Sequence, residues 1–500
     1  MIETGWLSLL PPLIAITLAL ATKEVYSSLF AGVFSGMLIY SFSSGGTVVS
    51  AASATFDMMS AKIAGNSYMI IFLALLWAVV MLVSRSGGSE AYGRLAGKRL
   101  GTKRSALFST SLLGVLIFID DGFNCLTVGT VMRPITDRLK ISREKLAYVI
   151  DATAAPVCII APVSSWAVAV ASEVSATDGF HVFLSTIPYN FYALMTILMV
   201  FFVCLTGLDF GPMRKAEEAA QKGGEALRQD AGAQNGKGSV ADLVIPIAVL
   251  IVCAILGMAY VGGFFKGVGF SRAIGENPAA GLSLGAFAGL IAALLLYLPR
   301  RIMTGREFVE TVVKGIGNIV PPMLILILSW TLGGVCRELI GTGVFISGFV
   351  TESHLSLAAL PFIIFVIAAL MSFSMGTSWG TFGMLIPIVA MICEGDGGML
   401  VPALGATLAG SVYGDHCSPM SDTTILASTG ADCRHIRHVD TQLPYATLVA
   451  AVCALGYLIA GFMKSPWAAL GVEAALLVCA VAFLGSRERR SGNDKKTEAV

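Results

Sequence analysis

The sequence predicts an all-α polytopic membrane protein made of two inverted-topology repeats with re-entrant hairpins and broken helices, about 11–15 membrane segments in all. Composition is the first reason. Charged residues make up 13% of the 500, hydrophobic residues 56%, and the mean hydropathy is +0.80. Soluble domains carry about 25% charged residues, so the missing charge points to a surface that faces lipid. The second reason is an internal match between the two halves of the chain. The third is that polar groups interrupt apolar segments at corresponding places in each half.

Apolar segments occupy about 5–22, 25–42, 67–84, 105–119, 123–136, 146–173 and 182–207, then about 241–262, 279–298, 319–336, 355–373, 377–393, 399–428, 442–462 and 466–485. Unbroken runs such as Leu198 to Leu205 suit helices and not barrel strands, which alternate over about ten residues. The polar stretch from Asp209 to Ser239 reads as a flexible linker, and RERRSGNDKKTEAV as a mobile tail. The start, MIETGW, has no basic residue ahead of its apolar stretch, so no cleaved signal peptide is expected. The resulting division is a first repeat over 1–208 (hairpin about 105–136, broken helix about 146–173) and a cytoplasmic linker over 209–240. A second repeat follows over 241–463 (hairpin about 355–393, broken helix about 399–428), then an extra membrane helix over 464–485 and a cytoplasmic tail over 486–500.

Basic residues choose the orientation. Arg85, Arg94, Lys98, Arg99, Lys103 and Arg104 fill one loop, and Arg133, Arg138, Lys140, Arg143 and Lys145 another, whereas SFSSGG near 41–46 and EVSATDG near 173–179 contain neither Lys nor Arg. Positive loops stay inside, which places the N-terminus outside and the C-terminus in the cytoplasm of a bacterial-type cytoplasmic membrane. The net charge of +1 excludes an ordinary nucleic-acid binder. The ten cysteines are scattered and read as packing residues. No GxxxxGK[ST] loop is present to bind a nucleotide.

Trp77 and Trp330 stand at an offset of 330 − 77 = 253, which also pairs Gly36 with Gly289 and Pro134 with Pro387. With 6 Trp in the chain, the tryptophan match is the informative one. After an insertion near Glu394 to Gly397 the offset becomes 257 and pairs Pro162 with Pro419 and Ser164 with Ser421. An odd number of crossings per half makes the second copy enter from the opposite face, an architecture of secondary transporters.

The interruptions carry the chemistry. Asp120, Asp121 and Asn124 form the first polar tip, and Ser374, Thr377 and Ser378 lie in the second. Asp151, Ser164 and Ser165 belong to the first broken helix; Asp415, His416, Ser418, Ser421, Asp422 and Thr423 to the second. Proline frees a carbonyl, and carbonyls, hydroxyls and carboxylates together are hard oxygen ligands able to replace the water shell of sodium. Ionisable groups at membrane depth are functional by default. Thr127, Thr130 and Thr381 read as packing residues, Asp137 as an ion-pair partner of Arg133 or Arg138, and His181, His354, His435 and His438 as surface or interface residues.

The stretches IDDGFNCLTVGTVMRPITDR, SREKLAYVIDATAAPVCIIAPVSSWA and GSVYGDHCSPMSDTTILASTGADCRHIRHVDTQLPY resemble signature blocks of the NhaC family of sodium/proton antiporters, over nearly all of the chain from about Leu10 to 460. The resemblance implies exchange of sodium for protons by alternating access, with sodium at Asp415 and Asp422, no cofactor beyond these coupling ions, no enzymatic activity, and a homodimer in the lipid bilayer. Gly122 stands where many relatives are expected to carry an aromatic residue, and a smaller side chain enlarges the space there. Members resembling the family also exchange malate for lactate. The alternative expectation is therefore a sodium- or proton-coupled transporter or exchanger of a small organic anion or amino acid.

Overall fold

The computed structural model describes residues 2, 4–22, 24–88, 91–92, 100–174, 179–222, 238–342, 344–345, 357–393, 397–419, 421–463 and 465–497. Among them every regular element is helical, and eight helices are long and apolar enough to cross a membrane. Val25 and Pro278 each open a helix, as do Ser67 and Val320, so helix starts as well as single residues recur at the repeat's offset.

Two helices lie where no apolar segment was expected, Val48–Gly65 and Gly305–Gly317. Both start on reciprocal caps, Thr47 with Ser50 and Thr304 with Glu307. Their polar residues are interleaved along the helix, as in Arg306, Glu307, Glu310 and Lys314, which keeps hydropathy low although Phe308, Thr311 and Gly315 are buried. The expected linker begins with a further helix, Gly211–Gln221, held by Glu217, which accepts from the Ser142 N–H at 2.6 Å. The expected tail is also helical: the last helix runs Pro466–Thr497, past the predicted boundary at 485. Residues 223–237, His354 and the basic residues Arg94, Lys98 and Arg99 lie outside the described residues.

Both predicted hairpins are helix pairs with an unwound tip. In the first, Lys103–Leu116 gives way at Ile117, and Asp120 caps the returning helix Asp121–Arg138 by accepting from the Phe123 N–H at 2.8 Å. In the second, Leu360–Met375 ends on Gly376 with φ +69, a left-handed turn that suits glycine, and Thr377 caps Ser378–Ile392.

The first broken helix runs Arg143–Ala152, Ala155–Cys158 and Ser165–Glu173; the second runs Gly397–Cys417 and Asp422–Ala431. Side chains absorb the backbone groups that these gaps release. The two N–H groups of the Asn124 amide are shared among the carbonyls of Gly114 (2.7 Å), Ile117 (2.9 Å) and Thr153 (3.0 Å), tying the first tip to the first break. The Ser164 hydroxyl shares its one hydrogen between the Cys158 (2.8 Å) and Ala161 (3.0 Å) carbonyls while accepting from the Ala167 N–H. Ser165 donates its N–H to the Ile119 carbonyl at 3.1 Å. Thr130 and Thr381 bond carbonyls four residues back in their own helices, as packing residues do.

Small residues let the polar-tipped helices approach. A Cβ on Gly410 would lie 2.4 Å from the Phe365 carbonyl oxygen, and one on Gly414 2.3 Å from that of Ala369, so the 360–375 and 397–417 helices touch backbone to backbone. At the basic ends, Arg143 pairs with Asp137 (3.3 Å) and Asp432 (2.8 Å), and Arg133 reaches Asp432 at 3.6 Å. Asp137 is therefore an ion-pair partner of Arg143 and not of Arg133 or Arg138, because the turn after 138 folds Arg143 back onto it.

Overpacking a close helix contact costs about 1–3 kcal/mol, so Gly410→Val lowers the thermal unfolding midpoint in detergent while Gly471→Val, which meets open space, does not. Equal midpoints would contradict the packing. Asn124→Leu strips three buried carbonyls of their donor, a loss of about 1–3 kcal/mol or more visible in the same assay; an unchanged midpoint would show that Asn124 is not the fastener.

Candidate functional site

The two tips and the second break meet at one cavity of about 390 Å³. Asp120, Asp121 and Gly122 enter from the first hairpin, Met375, Gly376 and Thr377 from the second, and Asp415 and Thr423 from either side of the second break. Glu24, Trp77, Asn318 and Trp379 complete the wall. Trp379 is held by Trp166 and Phe382, with ring centroids 5.8 and 5.7 Å away. Gly122 has only ordinary contacts where a Cβ would be, 3.4 Å from Leu426 Cδ1 and 3.5 Å from Asp120 Oδ1, so a larger side chain would extend into the cavity.

Asp415 is the most firmly positioned of the acids. Its Oδ2 accepts from the Ser378 hydroxyl at 2.7 Å and the Ser378 N–H at 3.0 Å, at the start of the 378–392 helix, where the helix dipole favours negative charge. The Ser378 hydroxyl also lies 3.1 Å from the Ser411 carbonyl, which the Ser372 hydroxyl reaches at 2.6 Å, so the tip is fastened to the broken helix. Glu24 caps Val25–Ser43. Burial opposes its charged form, but the Ser27 hydroxyl and the N–H groups of Ser27 and Tyr26 outweigh that and hold the carboxyl below its ordinary value. Four carboxylates thus line the cavity, and among its described lining residues there is no Lys, Arg or His. Such a wall attracts cations.

The remaining expected site residues divide into two groups. Asn124, Ser164 and Ser165 fasten the first tip and break; Ser421 caps the helix after the second break, accepting from the Thr424 N–H, and Ser418 donates its N–H to the Asp415 carbonyl. Ser374 lies at the second tip, half-buried; the side chain of Asp422 lies outside the described residues. Asp151 and His416 do not reach the cavity. They belong to a second buried polar cluster, where Asp151 Oδ2 lies 3.2 Å from His438 Nε2, 3.9 Å from His416 Nε2 and 2.8 Å from its donor Gln442 Nε2. His416 Nδ1 faces the Tyr192 hydroxyl at 2.8 Å.

His438 is therefore buried and not a surface residue, because the 435–463 helix turns it inward against Asp151, three residues beyond the half-buried His435. Glu24, Asn318, His438 and Gln442 were not foreseen. Trp77 carried the repeat match without any hint of the cavity, and for His438 the available signal was its spacing of four from the buried Gln442.

A family model described as the Na+/H+ antiporter family matches residues 166–462. An uncharacterized protein of Haemophilus influenzae is 38% identical over 94% of each chain. The malate-2H(+)/Na(+)-lactate antiporter of Bacillus subtilis is 33% identical over 36% of this chain and 38% of its own, and the arginine/ornithine antiporter ArcD of Halobacterium salinarum is 33% identical over 31% and 30%. In structure, the Alcanivorax borkumensis transporter YdaH is similar in fold, with a TM-score of 0.59 at 11% identity over 83% of this chain and 90% of that one. With more than half of its length matched and the cavity built from its helix breaks, the chain is a multi-pass membrane protein that belongs to the Na+/H+ antiporter family of transporters.

Proposed function

We propose that this transporter exchanges sodium for protons across the cytoplasmic membrane by alternating access. The observation that carries the reading is the convergence of Asp120, Asp121, Asp415 and Glu24 on one cavity at the tips of two hairpins and the gap of a broken helix. Sodium binds dehydrated at Asp415, with Thr377, Thr423 and carbonyls released by the breaks as further oxygen ligands, and Asp422 completes the set. The two halves act as inverted repeats, so a movement that closes the cavity on one side opens it on the other. The recurrence of helix starts at the repeat offset supports that arrangement. In this reading the basic loops and the C-terminal tail face the cytoplasm, the N-terminus lies outside, and the transporter is a homodimer.

A second reading is favoured by size. A cavity of about 390 Å³ falls among small-molecule sites and far exceeds the volume of one dehydrated cation. The relatives named as malate/lactate and arginine/ornithine antiporters make an organic solute a chemically reasonable cargo. With four acids on the wall, an anionic solute would enter together with cations, whereas a cationic amino acid would need none.

In proteoliposomes with an internal pH dye and an acid interior, external sodium alkalinises the lumen if exchange is the activity. A lumen indifferent to sodium that responds to arginine or malate would replace the first reading with the second. Asp415→Asn abolishes transport with expression and folding intact; normal rates in that variant would remove Asp415 from the site. A hydrogen bond to a charged group contributes about 1.5–3 kcal/mol, so Ser378→Ala raises the half-saturating sodium concentration about tenfold. No change there would mean that Ser378 does not organise Asp415.

A further inference from the structure

The cluster around Asp151 is built for something other than cargo. Asp151, His438 and Gln442 are fully buried, lie outside the cavity lining, and leave Asp151 Oδ1, His438 Nδ1 and Gln442 Oε1 without hydrogen-bond partners among the described residues. An unmade hydrogen bond is costly in a dry interior, and here three such atoms lie on residues that contact one another. Here one carboxylate oxygen takes both contacts, His438 Nε2 and Gln442 Nε2, while the other oxygen and the far nitrogen of the imidazole stay open. An open nitrogen on an imidazole paired with a carboxylate is a vacancy for a proton.

We propose that Asp151 and His438 form a proton-binding site separate from the cation cavity, and that Gln442 couples the two. With one proton bound, the pair is an imidazolium beside a carboxylate and carries no net charge. On release the N–H bond breaks, its electron pair stays on the imidazole nitrogen, the proton passes to water, and a buried carboxylate is left with a neutral histidine. That charge change is transmitted mechanically. The Gln442 amide nitrogen donates to Asp151 Oδ2 and also to the main-chain carbonyl of His416, in the last turn of the 397–417 helix, one residue beyond Asp415. A shift of the carboxylate therefore pulls on the turn that presents Asp415 to the cavity.

The charged and titratable neighbours are compatible with this. From the 397–417 helix come His416 and Cys417, and Tyr192 of the 191–206 helix faces His416; on His438's own helix Arg437 is paired with Glu144. On Asp151's own helix Lys145 is paired with Asp209, and Arg143, two turns before Asp151, is held by Asp137 and Asp432. Among the described residues no salt bridge joins Asp151 to a lysine or arginine; its ionic partners there are His438 and His416.

The coupling clause rests on the proposed exchange of sodium, so the test reads the proton site and the sodium response separately. The chain has five histidines, few enough to assign imidazole nitrogen signals by single His→Gln variants in 15N-histidine-labelled full-length protein in nanodiscs. The expected result is an imidazolium signal assigned to His438 that grows on acidification and that weakens at a given pH in Asp151→Asn, the effect of losing an adjacent opposite charge. Adding sodium to the wild type lowers the imidazolium fraction at fixed pH, and Asp415→Asn removes that sodium effect. A His438 that stays neutral throughout in the wild type overturns the proton site, and this readout needs no variant to fold. A titration indifferent to sodium overturns the coupling. Sodium-dependent alkalinisation by the same preparation in vesicles would then mean that the proton travels elsewhere, and its absence would mean that sodium exchange itself is wrong.

Discussion

Backbone N–H and C=O groups at membrane depth have no water to bond with, and that constraint governs the architecture around the cavity. Helices broken at 153–154, 159–164 and 418–419 and tips unwound at 117–120 and 376–377 expose such groups in numbers. They persist because short polar side chains stand at the gaps: Asn124 closes three carbonyls, Ser164 two carbonyls and an N–H, and Asp120, Thr377 and Ser421 each cap the helix that follows. Asn124, Ser164 and Ser421 close gaps outside the cavity lining, whereas Asp120 and Thr377 cap a helix and line the cavity as well.

Once the gaps are closed, the acids have a setting. Asp415 lies at the N-terminus of the returning 378–392 helix, bonded to the hydroxyl and N–H of Ser378, a geometry that favours the charged carboxylate without consuming the cavity-facing side of the site. Asp120 spends one oxygen on its cap and still borders the cavity. The neighbouring residue His416 turns the other way, toward Tyr192 and Asp151. One helical turn therefore presents a carboxylate to the cavity and an imidazole to the interior, which is how two adjacent residues come to serve two sites.

The membrane class and the places of the helix breaks were legible because lipid punishes polarity. With 65 charges in 500 residues, an Asp pair before Gly122 or an Asp beside Pro419 stands out from its surroundings. Amphipathic elements were not legible by the same signal: Val48–Gly65 and Gly305–Gly317 carry charges among their apolar residues along the sequence, and the helices at 211–221 and beyond 485 read as polar chain. Nor does hydropathy tell which polar residue meets cargo and which meets backbone. Asn124 and Asp121 lie three residues apart in one motif, yet one faces three carbonyls and the other the cavity, a division that depends on where the 143–152 helix packs. His438 was misplaced for a related reason. It follows basic residues that mark a membrane edge, and its burial is decided by Asp151, 287 residues away in sequence.

The central claim is that the cavity joining both tips to the second break holds the transported cation through Asp415. Equilibrium binding of radioactive sodium to the purified protein tests it without any dependence on transport. Saturable binding in the wild type that weakens at least about tenfold in Asp415→Asn, as loss of a charge-bearing ligand requires, is the predicted result. Sodium bound equally well by the wild type and by Asp415→Asn would contradict the account.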